Sequence, residues 1–299
     1  GLTVAGIGYT IFKLKNPGFD PTIGDLFGGN PVISDIKDKT KTASKKPSPI
    51  VLDLDGDGIE TLSNSGGVYF DHAGDGFAEQ SGWISQDDGF LVRDLNGNGK
   101  IDSGLELFGS ETFLENGQKA SNGFIALQEL DDNFDGKVDS NDSAFETLRV
   151  WRDLNRDGQS QENELFSLND SGVRSVNVGY NSSSLIDSNG NEHRQIGGYT
   201  TDSGLNRVAE DIWFDTNQTF SIATNLIDIP EDIALLPDMQ GFGKVYDLHQ
   251  AMARDQSGGL KNSVLQFSNA TSAAERAALT QQIIFKWAGV ENIDPNSRA

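Results

Sequence analysis

The sequence predicts an α+β fold, with short helices and acidic loops in the first half, β-hairpins after them and a helical C-terminal part. Three observations support this prediction. Acidic loops of regular spacing alternate with short apolar runs between residues 51 and 179. Turn sequences separate β-prone runs between residues 181 and 223, and apolar residues recur at four-residue steps near the C-terminus.

The charge of the chain is strongly acidic and unevenly distributed. The 299 residues include 45 Asp and Glu against 23 Lys and Arg, which gives a formal net charge of −22. Residues 51–170 alone hold 26 acidic and 7 basic side chains. Such a segment repels nucleic acid and resists compaction unless cations neutralise it. The composition therefore argues against a nucleic-acid partner and favours a cation-binding protein.

Composition shifts divide the chain into four predicted parts. Residues 1–48 combine an apolar start, too short to span a membrane, with a flexible basic linker. Residues 49–180 form the acidic module, residues 181–235 a β-hairpin region and residues 236–299 a helical region. Since the chain begins at Gly1 and ends at Ala299 without a closing element, we expect flanking domains of a longer protein.

The acidic module contains five loops related to one pattern. An EF-hand loop binds Ca²⁺ with oxygens from positions 1, 3, 5, 7, 9 and 12, and has Gly at position 6 for a sharp turn. The first two loops match only partly, and their expected ligands are Asp53, Asp55, Asp57 and Ile59, and Asp71, Asp75 and Phe77. They either share an ion or complete their shells from Asp87 and Asp88. The alternative is ordinary Asp–Gly turns.

The next three loops follow the pattern closely. The loop from Asp94 has its Glu one residue late, and the loop from Asp131 ends in the shorter Asp142. The loop from Asp153 matches throughout, with Gln161 acting through water. Three such loops in one block predict EF-hand-like calcium loops with Ca²⁺ as cofactor. Their expected ligands are Asp94, Asn96, Asn98, Lys100, Asp102 and Glu106; Asp131, Asn133, Asp135, Lys137, Asp139 and Asp142; and Asp153, Asn155, Asp157, Gln159 and Glu164.

Secondary structure around the loops is predicted from apolar spacing. Helical spacing precedes the loop from Asp131 (residues 124–130) and the loop from Asp153 (residues 144–151), and residues 173–178 resemble a strand. Turn sequences at 187–190 and 201–204 predict hairpins. A capping box of Ser272 and Glu275 starts a helix that Gly289 ends, and its apolar stripe is expected to pack on a neighbouring helix.

Several classes of protein are excluded by absent residues and motifs. The chain has no Cys, which excludes disulfides, thiolate zinc sites and cysteine nucleophiles. Its three histidines are far apart and are expected to be surface or packing residues. No hydrolase elbow, Walker A loop, Rossmann fingerprint or calcium β-roll repeat is present.

Several motifs resemble the self-processing modules of secreted RTX and haemolysin-type proteins of the FrpC type. They are PIVLDLDGDGIET (49–61), FDH (70–72), GW (82–83), DDGFLVRDLNGNG (87–99), ELFG (106–109) and LRVWRDLNRDG (148–158). The resemblance covers residues 49–298. It implies a module that folds in extracellular calcium and then cuts its own chain at an Asp–Pro bond before the LDLDGDG run. The Asp carboxylate attacks its own carbonyl, and a lysine amine can capture the resulting anhydride.

This chain departs from the resemblance at the cleavage position. The matching pair is Ser48–Pro49, and serine has no carboxylate to form the anhydride. The Asp–Pro bonds of the chain are Asp20–Pro21 in the linker and Asp294–Pro295, which resembles a turn. The leading hypothesis is therefore a non-enzymatic calcium-folded module of a bacterial RTX-type toxin or adhesin, exported by type I secretion. The alternatives are calcium-triggered cleavage or cross-linking at Asp20–Pro21, and an interaction domain for an unidentified host surface or protein.

Overall fold

The computed structural model describes residues 46–293, and these residues are mostly β-structure. The predicted α+β fold is therefore wrong: the dominant element is a curled antiparallel sheet, and residues 46–293 contain only five short or medium α-helices. They divide into two compact units, residues 46–224 and residues 225–293. Residues 2–14, Asp20–Pro21, most of the basic linker and Asp294–Pro295 lie outside the described residues.

Fourteen strands are found within residues 46–293. Three of the long ones form consecutive hairpins in the second half of the first unit, where the predicted turns at 187–190 and 201–204 separate them. The strands are β1 (Ile50–Leu52), β2 (Thr61–Leu62), β3 (Tyr69–Phe70), β4 (Phe77–Ser81), β5 (Trp83–Ile84), β6 (Gly89–Val92), β7 (Lys137–Asp139), β8 (Arg149–Trp151), β9 (Leu165–Ser167), β10 (Val173–Asn177), β11 (Asn181–Ile186), β12 (Glu192–Thr201), β13 (Asn206–Trp213) and β14 (Thr216–Ala223).

The main sheet has the strand order β7-β10-β12-β13-β1-β6-β8-β9, with β11 paired to β12. Every pair is antiparallel. The strand β1 lies at its centre, where Val51 is opposite Glu210 of β13 on one side and Phe90 of β6 on the other. Because β6 lies antiparallel between β1 and β8, the acidic loops that follow β1 and β8 leave one end of these strands, and the loop that follows β6 leaves the other end.

Both faces of the central strands are buried. Ile50 and Leu52 of β1 lie in one apolar core with Phe124 and Leu148, whereas Val51 faces the other. This is why the run Ile50-Val51-Leu52 is continuously apolar and 0% exposed rather than alternating. The second core is rich in aromatic rings: Trp83, Phe90, Trp151 and Phe214 lie with ring centroids 4.8–6.1 Å apart in most pairs.

Of the two helices predicted before acidic loops, one is absent and one is present. Residues 144–151 form a 3₁₀ turn, Phe145–Thr147, followed by the strand β8. Val150 and Trp151 both become buried because they face opposite cores. The helix predicted before Asp131 exists as α1 (Gly123–Gln128), whose N-cap Asn122 accepts the N–H of Ile125 at 3.0 Å.

The second unit is helical, with α2 (Glu231–Ala234), α3 (Leu248–Arg254), α4 (Gly259–Asn269) and α5 (Ala273–Trp287). Its own apolar core includes Leu248, Met252, Leu260, Val264 and Ile283, and Trp287 packs against it. The predicted start of α5 is confirmed, since the Ser272 hydroxyl accepts the N–H of Glu275 at 3.2 Å. No helix among the described residues combines the length and apolar composition needed to cross a membrane.

Candidate functional site

The loop from Asp153 to Glu164 follows β8 and is wrapped around its first residue. Asp153 is 0% exposed, and its two carboxylate oxygens accept the N–H groups of Asp157 (3.1 Å) and Gly158 (2.8 Å). Asp157 in turn accepts the N–H of Gln159 at 2.8 Å. Burial raises the pKa of the Asp153 carboxyl, while these N–H bonds counteract part of that rise.

The last carboxylate of each regular loop closes it in the same manner. Glu164 accepts the N–H groups of Leu154 (2.9 Å) and Gln161 (3.1 Å), which are positions 2 and 9 of its loop. In the loop from Asp131, Asp142 accepts the N–H groups at the same two positions, at 2.9 and 2.8 Å. The shorter side chain at position 12 therefore still reaches across the loop.

The third loop uses a residue that lies one position later. Glu106 accepts the N–H groups of Leu95 (3.2 Å) and Asp102 (2.8 Å), again positions 2 and 9. The extra residue is accommodated in a 3₁₀ turn, Gly104–Glu106, which points the Glu106 side chain back into the loop. Glu106 thus takes the structural place of a position-12 residue.

All five acidic loops share one backbone shape. Positions 4 and 6 have left-handed φ angles in each loop, between 58° and 113°. Position 6 is always Gly, but position 4 is a non-glycine in two loops, Phe134 and Arg156, where the conformation costs about 1 kcal/mol. The left-handed pairs are Gly56 and Gly58, Gly74 and Gly76, Gly97 and Gly99, Phe134 and Gly136, and Arg156 and Gly158.

The inner oxygens of these loops fit a hard divalent cation. Each carboxylate oxygen that accepts one N–H retains lone-pair capacity for a ligand bond, and the expected side-chain donors are all oxygens, which Ca²⁺ prefers. In the loop from Asp131, the Lys137 ammonium lies 2.6 Å from Asp139 and 3.7 Å from Asp135. The hydrogen bond from Lys137 lowers the pKa of Asp139. A positive charge is therefore accommodated among these carboxylates.

Two of the regular loops are in direct contact with each other. The Ser160 hydroxyl oxygen accepts the N–H of Ile101 at 2.6 Å, and both side chains are buried. Each residue is position 8 of its loop. The sequence did not predict this contact, because nothing in the local spacing shows which loops become neighbours.

The two irregular loops have the first half of the same network. Asp71 accepts the N–H groups of Asp75 (3.1 Å) and Gly76 (2.7 Å), and Asp75 accepts that of Phe77 (3.2 Å). Burial raises the pKa of Asp71. The loop from Asp53 has an N–H bond from Gly56 to Asp53 at 2.7 Å. Neither loop has a closing carboxylate of its own at position 12.

Side chains of Asp53, Asp55 and Asp88 come together, as do those of Glu60, Asp87 and Asp88. In each group the possible ligand atoms lie within 4.8 Å of one another. Within residues 46–293 these are the groups of three or more Asp, Glu or His that meet this distance. The structure thus places Asp87 and Asp88 beside the loop from Asp53 rather than beside the loop from Asp71.

The Ser48–Pro49 peptide is held inside the first unit. Ser48 is 3% exposed, and both its carbonyl and its hydroxyl oxygen lie 3.1 Å from the N–H of Ser110. Gly109 packs so closely that a Cβ there would lie 1.7 Å from the Ser48 carbonyl oxygen. The buried Asp211 accepts the N–H of Gly123; burial raises the pKa of Asp211 to about 7, although Gly123 and the Ser48 hydroxyl lower it.

A model of the SPM domain family matches residues 50–215, more than half of the chain. This chain belongs to the SPM, or self-processing module, family. The SPM domain begins at the first residue of β1 and contains all five acidic loops. It falls within the first compact unit, and the helical unit lies outside the match.

A curated relative extends the likeness beyond the SPM domain. The chain is 42% identical over 246 residues to the iron-regulated protein FrpA of Neisseria meningitidis serogroup C, a match that covers 82% of this chain. It covers 22% of the relative, so the chain spans about a fifth of that protein's length. The resemblance to self-processing modules of RTX proteins is thereby confirmed.

Proposed function

We propose that this SPM domain is a calcium-dependent structural module of a secreted, bacterial RTX-type protein, and that it does not cut its own chain at residues 48–49. The observation that supports calcium binding is the repeated network of the three regular loops. In each, the first and last carboxylates accept main-chain N–H groups at equivalent positions, which holds their remaining lone pairs close to the loop centre.

Calcium would act on folding through charge. The acidic module brings many carboxylates into small loops, and several of them are buried, including Asp153, Glu164, Asp142 and Glu106. Buried carboxylates that repel one another oppose folding unless a cation neutralises them. A cation that binds only the folded state stabilises it by mass action. The module would therefore remain loosely folded at low calcium and become compact outside the cell.

The absence of cleavage at residues 48–49 follows from the side chain of Ser48. The anhydride chemistry implied by the family resemblance requires a carboxylate at this position, and a hydroxymethyl group cannot supply it. The Ser48–Pro49 peptide is nevertheless buried, and the Ser48 hydroxyl contacts Ser110 and Asp211.

The test is to add calcium at about 1 mM, the range of extracellular calcium modules, to purified protein stripped with a chelator. Far-UV circular dichroism follows folding, and a denaturing gel with intact-mass measurement follows cleavage. We expect folding with an intact chain. Fragments that break after Asp20 would instead support cleavage at Asp20–Pro21, and an unchanged circular dichroism spectrum with no bound calcium would contradict the calcium-folding proposal.

A further inference from the structure

Asp88 has an unusual environment for a carboxylate. It precedes β6, is 0% exposed, and its Oδ1 atom has no hydrogen-bond partner among the described residues. Its Oδ2 atom accepts one bond, from the N–H of Glu60 at 3.1 Å. A buried carboxylate oxygen without a partner is costly, and native proteins rarely retain one without a bound ion or water. Burial raises the pKa of Asp88 to about 8.

Asp88 lies at the junction of two carboxylate groups. Asp88 belongs to the group with Asp53 and Asp55 and also to the group with Glu60 and Asp87. Asp87 likewise has a buried oxygen, Oδ1, without a hydrogen-bond partner among the described residues. Two buried carboxylate oxygens without hydrogen-bond partners therefore belong to a single cluster of five acidic side chains.

Nearby basic side chains bind main-chain groups in this region. The Arg207 guanidinium donates to the Leu54 carbonyl oxygen, and Arg152 donates to the Gln86 carbonyl oxygen at 3.2 Å. Within residues 46–293, none of the five carboxylates forms an ion pair with a lysine or arginine. A bound cation would supply the positive charge that these side chains do not.

We propose that Asp88 is the shared ligand of a two-cation site, with Asp53 and Asp55 completing one position and Glu60 and Asp87 the other. The ligand class is a hard divalent cation, because all five side chains offer carboxylate oxygens. This inference deepens the proposed calcium function and rests on it. The site lies where β1 ends and β6 begins. Its cations would therefore stabilise the pairing of β1, which follows Ser48–Pro49, with β6.

The test compares ion stoichiometry in variants of the full chain. Equilibrium dialysis with calcium, and separately with magnesium, followed by elemental analysis, counts the ions bound per folded chain. We expect Asp88→Asn to bind two fewer ions than the unaltered chain. The matched control is Asp170→Asn, an exposed aspartate that pairs only locally with Ser167, and it should bind the full number.

Variants at two exposed ligands test the site even if the variant at the buried Asp88 does not fold. Asp55→Asn and Glu60→Gln change exposed side chains, so both variants should fold, and each should lose one ion. Full stoichiometry in both would overturn the two-cation site, as would loss of only one ion in a folded Asp88→Asn variant. An unaltered chain that binds neither metal would overturn the calcium function together with this inference. A further variant, Glu164→Gln, alters the loop from Asp153 instead. If it loses an ion while the variants at Asp55, Glu60 and Asp88 bind the full number, the calcium function stands and only the Asp88 site is overturned.

Discussion

Trp83 Nε1 donates a hydrogen bond to Asp153 Oδ2 at 2.8 Å, and both residues are fully buried. Trp83 lies at the centre of the aromatic core, and Asp153 is the first residue of the most regular acidic loop. This contact joins the core directly to the candidate ligand. A change in ion binding at the loop should therefore be transmitted to an indole ring that reports it by fluorescence.

Replacing Trp83 by Phe should weaken this link. The variant keeps most of the apolar contact but removes the donor to a buried carboxylate, which we expect to lower the free energy of unfolding by about 2 kcal/mol. Urea unfolding with bound calcium measures that loss, and fluorescence titration should show a smaller calcium-dependent signal. The control is Trp213→Phe, whose indole donates to Gln195 instead. Equal calcium signals in the two variants would contradict the proposed coupling.

Glu164→Gln should reduce calcium affinity at the loop from Asp153. The amide retains the shape of the side chain but removes one negative charge and one anionic oxygen, so we expect roughly a tenfold or larger loss of affinity. Calorimetric titration measures it. Glu162→Gln is a matched control, because Glu162 lies in the same 3₁₀ turn with its side chain exposed. An identical affinity in both variants would show that Glu164 is not a ligand.

The contact between Ser160 and Ile101 predicts that two loops bind calcium as a pair. Ser160→Ala removes the oxygen that accepts the Ile101 N–H, which costs about 1 kcal/mol. We expect weaker binding at both the loop from Asp94 and the loop from Asp153, with the loop from Asp131 unchanged. Chemical shifts of the three position-6 glycine amides can follow each loop separately. Ser140→Ala, at an exposed position of the loop from Asp131, is the control; loss at a single loop would contradict the pairing.

Ser48→Asp should restore self-cleavage if the missing carboxylate is the reason for its absence. We expect calcium-dependent scission between residues 48 and 49, detected by intact mass, with the new N-terminus at Pro49. Ser48→Asn is the control of matched shape and should remain intact. A folded, calcium-loaded Ser48→Asp variant that stays uncut would show that residue 48 is not the only departure from the self-processing chemistry.

Asp211 should make the calcium-loaded module less stable as pH rises. Its pKa in the folded state is raised to about 7 by burial, above its ordinary value of 3.8. The proton is therefore retained on folding, and the associated stability is present below about pH 4 and lost as pH rises through about 7. Asp211→Asn removes this dependence. Urea unfolding at several pH values should show the variant gaining stability relative to the parent chain between about pH 4 and 7; a constant difference would contradict the assignment.

The sequence predicted the loops better than the elements around them. Residues 144–151 have apolar residues at spacing that suits a helix, but a short apolar run fits a strand buried on both faces equally well. Here pairing with β6 and β9 on opposite edges makes the strand the more stable form. Propensity alone cannot decide such a segment, because the deciding hydrogen bonds come from residues that are distant in the chain.

The sequence by itself determined what is local. The order of Asp, Asn and Gly fixes the left-handed positions and the N–H bonds within each loop, since those partners are at most eleven residues apart, and it fixes that residue 48 lacks a carboxylate. Tertiary structure alone decided that Asp88 meets Asp53, that Asp211 faces Ser48 and that Trp83 supports Asp153. These contacts depend on which strands become neighbours, and burial of two apolar cores, rather than any local pattern, selects that arrangement.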